Sequence, residues 1–63
     1  MRKQHIWYEC VQVVRRDKEG VLREWYDGDQ RATADESLAQ KAILDKQFPG
    51  TEYVVIQKIV TEV

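Results

Sequence analysis

"EYVVIQKIV", Glu52 to Val60, is the stretch on which the fold turns. It is rich in β-branched residues, so it reads as a strand. Strict alternation would make one face apolar and the other polar. Instead Tyr53, Val55 and Ile59 share one parity while Val54, Ile56 and Val60 share the other. Both faces are apolar, in a chain of only 63 residues. The question is what covers the second one.

The segments before it supply a single cover. "PG" at Pro49–Gly50 reads as a helix stop, the pairing of C-terminal Gly and Pro. "TADE" from Thr33 reads as a helix start, an N-cap threonine with Glu36 three positions later. Between them a helix is expected from Ala34 to about Phe48. Ala34, Leu38, Ala39, Ala42 and Ile43 fall on one stripe at helical spacing and are expected to face a sheet, where the alanines allow a close approach. Leu44 falls off that stripe. Upstream, Ile6 to Arg16 reads as a first strand and "VLREWYD", Val21 to Asp27, as a second. "RDKEGV" joins them in a short hairpin loop, with Gly20 as its left-handed residue. "DGDQR" reads as a turn.

The order is β-β-α-β. The helix carries the chain back, so the third strand lies beside the first and the sheet order is 2-1-3, all antiparallel, with one right-handed crossover. The expected fold class is α+β: a three-stranded antiparallel sheet with one helix packed on one face, a single domain over 1–63. A bulge-type turn at Gly20 pairs Asp17 with Val21, Val13 with Trp25 and Gln12 with Tyr26. One face then gathers Trp7, Val11, Val13, Val21 and Trp25, completed by Val54, Ile56 and Val60. The other gathers Ile6, Tyr8, Cys10, Val14, Leu22 and Tyr26, with Tyr53, Val55 and Ile59. The tryptophans are expected under the alanine-rich helix and the tyrosines on the open face, although a one-residue slip in the loop would exchange the faces of the second strand.

Composition narrows the function classes. Cys10 is the only cysteine, so no disulfide forms within the chain, and a lone thiol suits a reducing compartment. His5 and Cys10 are the only soft ligands, too few for structural zinc. The N-terminus "MRKQHIWYECVQVV" lacks the apolar stretch and cleavage site of a signal peptide, and no run approaches a membrane span of about 20 apolar residues. A cytoplasmic protein without membrane contact is expected. Net charge is −1, from 10 basic and 11 acidic side chains. Residues 1–23 hold six cations against three anions and residues 24–63 four against eight. That is an ordinary solvated surface or one polarised to orient a partner.

No enzyme is expected, and no cofactor or metal. His5 lies about 13 Å along its strand from Glu9. Cys10 packs as a small hydrophobe, lacking a cation nearby in sequence. Ser37 has no base at triad spacing. Asp27 and Asp29 are too few for a calcium cage. An open apolar sheet face usually marks an interaction site. The expected partner-binding residues are therefore Tyr8, Tyr26, Tyr53, Val55 and Ile59, unless Arg16, Lys58 and Gln12 cover them. A rival reading is a small nucleic-acid-binding protein that stacks bases on the tyrosines and holds phosphates, or an acidic partner, with Arg15, Arg16, Lys18 and Arg23. Strand 52–60 is also an unblunted edge, so a homodimer is expected, pairing through that edge or else by packing two open faces together.

The layout of "WYECVQVVRRDKEGVLREWYD", then "TADESLAQKAI", then "GTEYVVIQKIV" resembles the small β-β-α-β proteins of phage and prophage accessory genes, some of them anti-CRISPR proteins or other host-takeover inhibitors. The similarity covers nearly the whole chain and is one of layout, with no functional motif to carry over. It implies a non-enzymatic protein that occupies a surface on a host or defence factor.

Overall fold

The computed structural model describes residues 2–62. Strand β1 spans Lys3–Arg16, β2 Leu22–Tyr26 and β3 Tyr53–Glu62, and helix α1 spans Ala34–Gln47. The sheet is antiparallel in the order β2-β1-β3, as expected. β1 and β3 form a regular ladder from Lys3↔Glu62 to Gln12↔Tyr53, prolonged by a Val13 N–H to Glu52 carbonyl bond of 2.9 Å.

The hairpin closes at Asp17. Its N–H donates to the Val21 carbonyl at 3.0 Å, and its Oδ1 accepts from the backbone of Glu19 and Val21. Gly20 has φ 83°, a left-handed conformation that glycine adopts without a Cβ penalty. Gln12 faces Tyr26 and Val13 faces Trp25, the register set by the turn. Between these pairs and the turn the register shifts twice, through Arg15↔Glu24 and Arg16↔Leu22. β1 therefore carries a bulge between Val13 and Arg15, offset by one on β2.

Past Tyr26 the chain does not simply turn away. "DGDQR" runs on along β1 and pairs again at Tyr8↔Arg31, through two hydrogen bonds of 2.8 Å. On the way Gly28 presses against the backbone of Cys10. A Cβ at Gly28 would lie 2.0 Å from the Cys10 carbonyl oxygen. Only Ala32 separates Arg31 from the N-cap Thr33, whose Oγ1 accepts from the Glu36 N–H at 3.3 Å. At the other end Phe48 is the C-cap with φ −130°, and Gly50 has no positive φ. The stop is thus Pro49, which pushes the residue before it out of the helical region, rather than a left-handed glycine.

The helix covers the tyrosine face, not the tryptophan face. Arg31 shares the face of Tyr8, its partner across the sheet, and donates from Nε to Gln40 Oε1 of the helix at 3.3 Å. Lys41 and Asp45 act on the Cys10 thiol of the same face. The bulge is the reason. At the turn the Asp17 N–H points towards β2, but Val13 bonds to the β3 side and Tyr8 to the β2 side. The extra residue has switched which parity of β1 bonds to which neighbour. Because L-configuration ties amide direction to side-chain direction, the face covered by a right-handed crossover switches with it.

The helix is also rotated from the expected stripe. Ser37 is fully buried, and Ala34, Lys41, Leu44 and Asp45 are partly so, while Leu38 and Ile43 are 51% and 58% exposed. Ala39 and Ala42 face outward as well. The bridge at Arg31 sets the helix entry two residues before its cap, and that constraint outweighs a weak apolar stripe.

Two substitutions test this packing by thermal melting. Ser37→Ala removes a buried hydroxyl that has no hydrogen-bond partner, and is expected to stabilise the protein by about 1 kcal/mol. Gly28→Ala must push the loop off Cys10 and is expected to cost more than about 2 kcal/mol.

Candidate interaction surfaces

The sheet face left open by the helix carries Trp7, Glu9, Val11 and Val13 from β1, Trp25 from β2, and Val54, Ile56 and Lys58 from β3, by strand alternation. Its centre is charged yet dry. Glu9 is only 2% exposed. One of its carboxylate oxygens accepts from Trp7 Nε1 and lies 3.3 Å from Lys58 Nζ. The other accepts from the Gly28 N–H at 3.2 Å. Lys58 also reaches Asp27 Oδ1 at 2.8 Å, and that oxygen takes the Trp25 indole N–H at 3.2 Å. A carboxylate buried without partners would cost several kcal/mol. Three donors on Glu9 offset that cost, and Glu9 and Asp27 each hold one indole in place.

Each indole thus bonds to the acid two residues ahead in the chain, in Trp7-Tyr8-Glu9 and Trp25-Tyr26-Asp27. The doubled pattern of tryptophan, tyrosine and acid is visible in the sequence and signals this network, which the residue-type reading passed over. Val11 is fully buried beside it, while Trp25 is 38% exposed at the rim.

The predicted site residues do share a face, but the centre of that face is covered. Tyr8, Tyr53 and Val55 are half-buried beside the helix, and Tyr8 Oη accepts from Gln57 at 3.1 Å. Tyr26 is 64% exposed on the flank. Ile59 pairs with Ile6 where β1 and β3 run on past Tyr8, and both are exposed. The open tyrosine platform expected from the sequence is therefore not formed. Three of the four hairpin cations are engaged: Arg15 with Glu24, Arg16 with Glu52 at 2.9 Å, and Arg23 with Asp17 at 2.8 Å. Lys18 is exposed.

On the far side of the molecule the helix presents Leu38, Ala39, Ala42 and Ile43 outward. A groove of about 530 Å³ runs along one flank of this surface, between the helix and Arg31. Other polar groups offer less chemistry. Cys10 is buried, and burial pushes its thiol pKa up, Asp45 adding to the rise and Lys41 opposing it. The cation absent from its sequence neighbourhood is supplied by the helix, but burial outweighs it. His5 lies 3.2 Å from Glu62. Among the described residues no cluster of ligating side chains can hold a metal ion, and no helix is long and apolar enough to cross a membrane. No protein-family model, curated protein or solved structure matches the chain.

The network makes stability depend on pH in two directions. The hydrogen bond from Lys58 holds the Asp27 carboxyl below its ordinary value of 3.8, and Asp27 holds the Lys58 amine above 10.5. Asp27 then contributes stability above 3.8 that is lost as pH falls through its lowered value. Lys58 contributes stability below 10.5 that is lost as pH rises through its raised value. Urea midpoints across the pH range are expected to fall at both ends, and Asp27→Asn to flatten both limbs.

Proposed function

We propose that this protein is a non-catalytic protein–protein interaction module whose partner docks on the open tryptophan face. The observation that carries this reading is the pair of indoles held rigidly on an uncovered sheet face over the buried Glu9–Lys58–Asp27 network. Tryptophan dominates the energetic centres of interfaces, because it brings a large apolar area with few rotamers to freeze. Here even those rotamers are tethered by carboxylates, which lowers the ordering cost of binding. The layout's resemblance to small phage and prophage proteins extends the proposal to a host or defence factor as the partner, bound sterically in a reducing compartment.

Nucleic acid is the second reading, and the geometry favours it less. Stacking needs exposed aromatic planes flanked by available cations. Tyr8 and Tyr53 are half-buried beside the helix, only Tyr26 stands exposed among the tyrosines, and Arg15, Arg16 and Arg23 already meet acids. On the open face Lys58 is itself taken up by Glu9 and Asp27.

Affinity capture with the full chain separates the readings. A protein retained by the native chain is expected to be lost with Trp25→Arg, whose exposed position lets the fold persist, as circular dichroism checks. Retention by the Trp25 variant would move the site elsewhere. Titration with mixed RNA and DNA is expected to show no binding at physiological salt. Tight binding with a steep salt slope would instead support the nucleic-acid reading.

A further inference from the structure

We infer that the outward face of the helix is the contact surface of a homodimer, in which the helices of two copies pack antiparallel across a two-fold axis. This goes beyond the reading of the tryptophan face, which lies on the opposite side of the molecule. The helix is inverted with respect to solvent. Ser37, Lys41 and Asp45 are wholly or partly buried against the sheet, while Leu38 and Ile43 stand more than half exposed with Ala39 and Ala42 between them. A surface helix normally does the reverse.

The occupant follows from charge and symmetry. Asp35 and Glu36 lie in the first turn and Lys46 in the last. Among the described residues neither Asp35 nor Lys46 pairs with an opposite charge. A two-fold axis passing between Gln40 and Lys41 sets Asp35 opposite Lys46 of the second copy, Leu38 opposite Ile43 and Ala39 opposite Ala42. Each match occurs twice, as an isologous interface requires. Antiparallel packing also brings opposite ends of the two helix dipoles together, whereas parallel packing would set Asp35 on Asp35. The small residues at the centre let the axes approach to about 8 Å, so that Leu38 reaches across. The groove lined by Ala39, Ile43, Gln47 and Arg31 lies on the Ile43 side of the helix, where the second copy's leucine arrives. A single helix face offers less than the roughly 800 Å² per partner of a standard interface, so micromolar association is expected.

Sedimentation equilibrium of the full chain at tens of micromolar is expected to show a dimer. Ile43→Glu should weaken it about tenfold or more, with the melting temperature little changed at dilutions where the protein is monomeric, because Ile43 is 58% exposed in the single chain. Lys46→Glu should weaken it too, and Asp35→Lys combined with Lys46→Glu should restore it, a rescue that structural damage cannot mimic. The edge amides of β3, which the sequence pattern offers as an alternative dimer contact, should exchange freely with deuterium throughout. A monomer at all concentrations overturns the inference. So does a dimer indifferent to Ile43→Glu and the charge swap, or one that protects the β3 edge.

Discussion

Between Val13 and Arg15 the central strand carries a residue that its neighbour does not match, and the two sides of the sheet take their identities from it. A strand in a regular ladder bonds to its left and right neighbours with alternate residues. One inserted residue exchanges the two sets. Past that point the even-numbered amides of β1 bond towards β2, and the helix comes to rest over Tyr8 and Cys10. The tryptophans are thereby turned outward, the Glu9 carboxylate finds Lys58 rather than the helix, and the helix takes the face of Tyr8, Cys10 and Val55.

The resulting hydrophobic interior is thin. Cys10 and Val11 are the apolar residues buried in full, one on each face of β1. A chain of about this size buries only about 60% of the surface it exposes when unfolded. Much of the cohesion is carried instead by backbone pairing along the β1–β3 ladder and by polar tethers: Glu9 to Gly28, Arg16 to Glu52, Arg31 to Gln40. Such tethers are directional. They specify one arrangement where a small core would tolerate several, and they leave large apolar groups outside.

Local signals were legible in the residues. Thr33 caps the helix, Gly20 sets the turn, and the 2-1-3 order follows from connection rules. The hairpin register at Val13 and Gln12 follows from the turn as well. The orientation of the layers was not legible, because it depends on a bulge whose two halves cancel in the register count. Gln12 still faces Tyr26 and Val13 still faces Trp25, so the pairs on either side do not reveal it. The rotation of the helix was hidden for another reason: Leu38 and Ile43 make a better apolar stripe than Ser37, Lys41 and Leu44, but the Arg31 bridge dictates entry. Of the candidate site, the residues grouped correctly by face, while the face that the helix covers was the opposite of the one expected. The repeated tryptophan–tyrosine–acid triplet was the available clue to the open face.

Cys10 gives the protein an internal clock. Its thiol lies between sheet and helix and is the only one in the chain. A thiol reagent reaches it only during excursions in which the helix lifts from β1. The rate of alkylation, divided by that of the unfolded chain, is therefore the fraction of time spent lifted. If the whole protein must open at once, that fraction matches global unfolding. If the helix leaves alone, it is larger, and the difference measures how far the sheet survives without its cover.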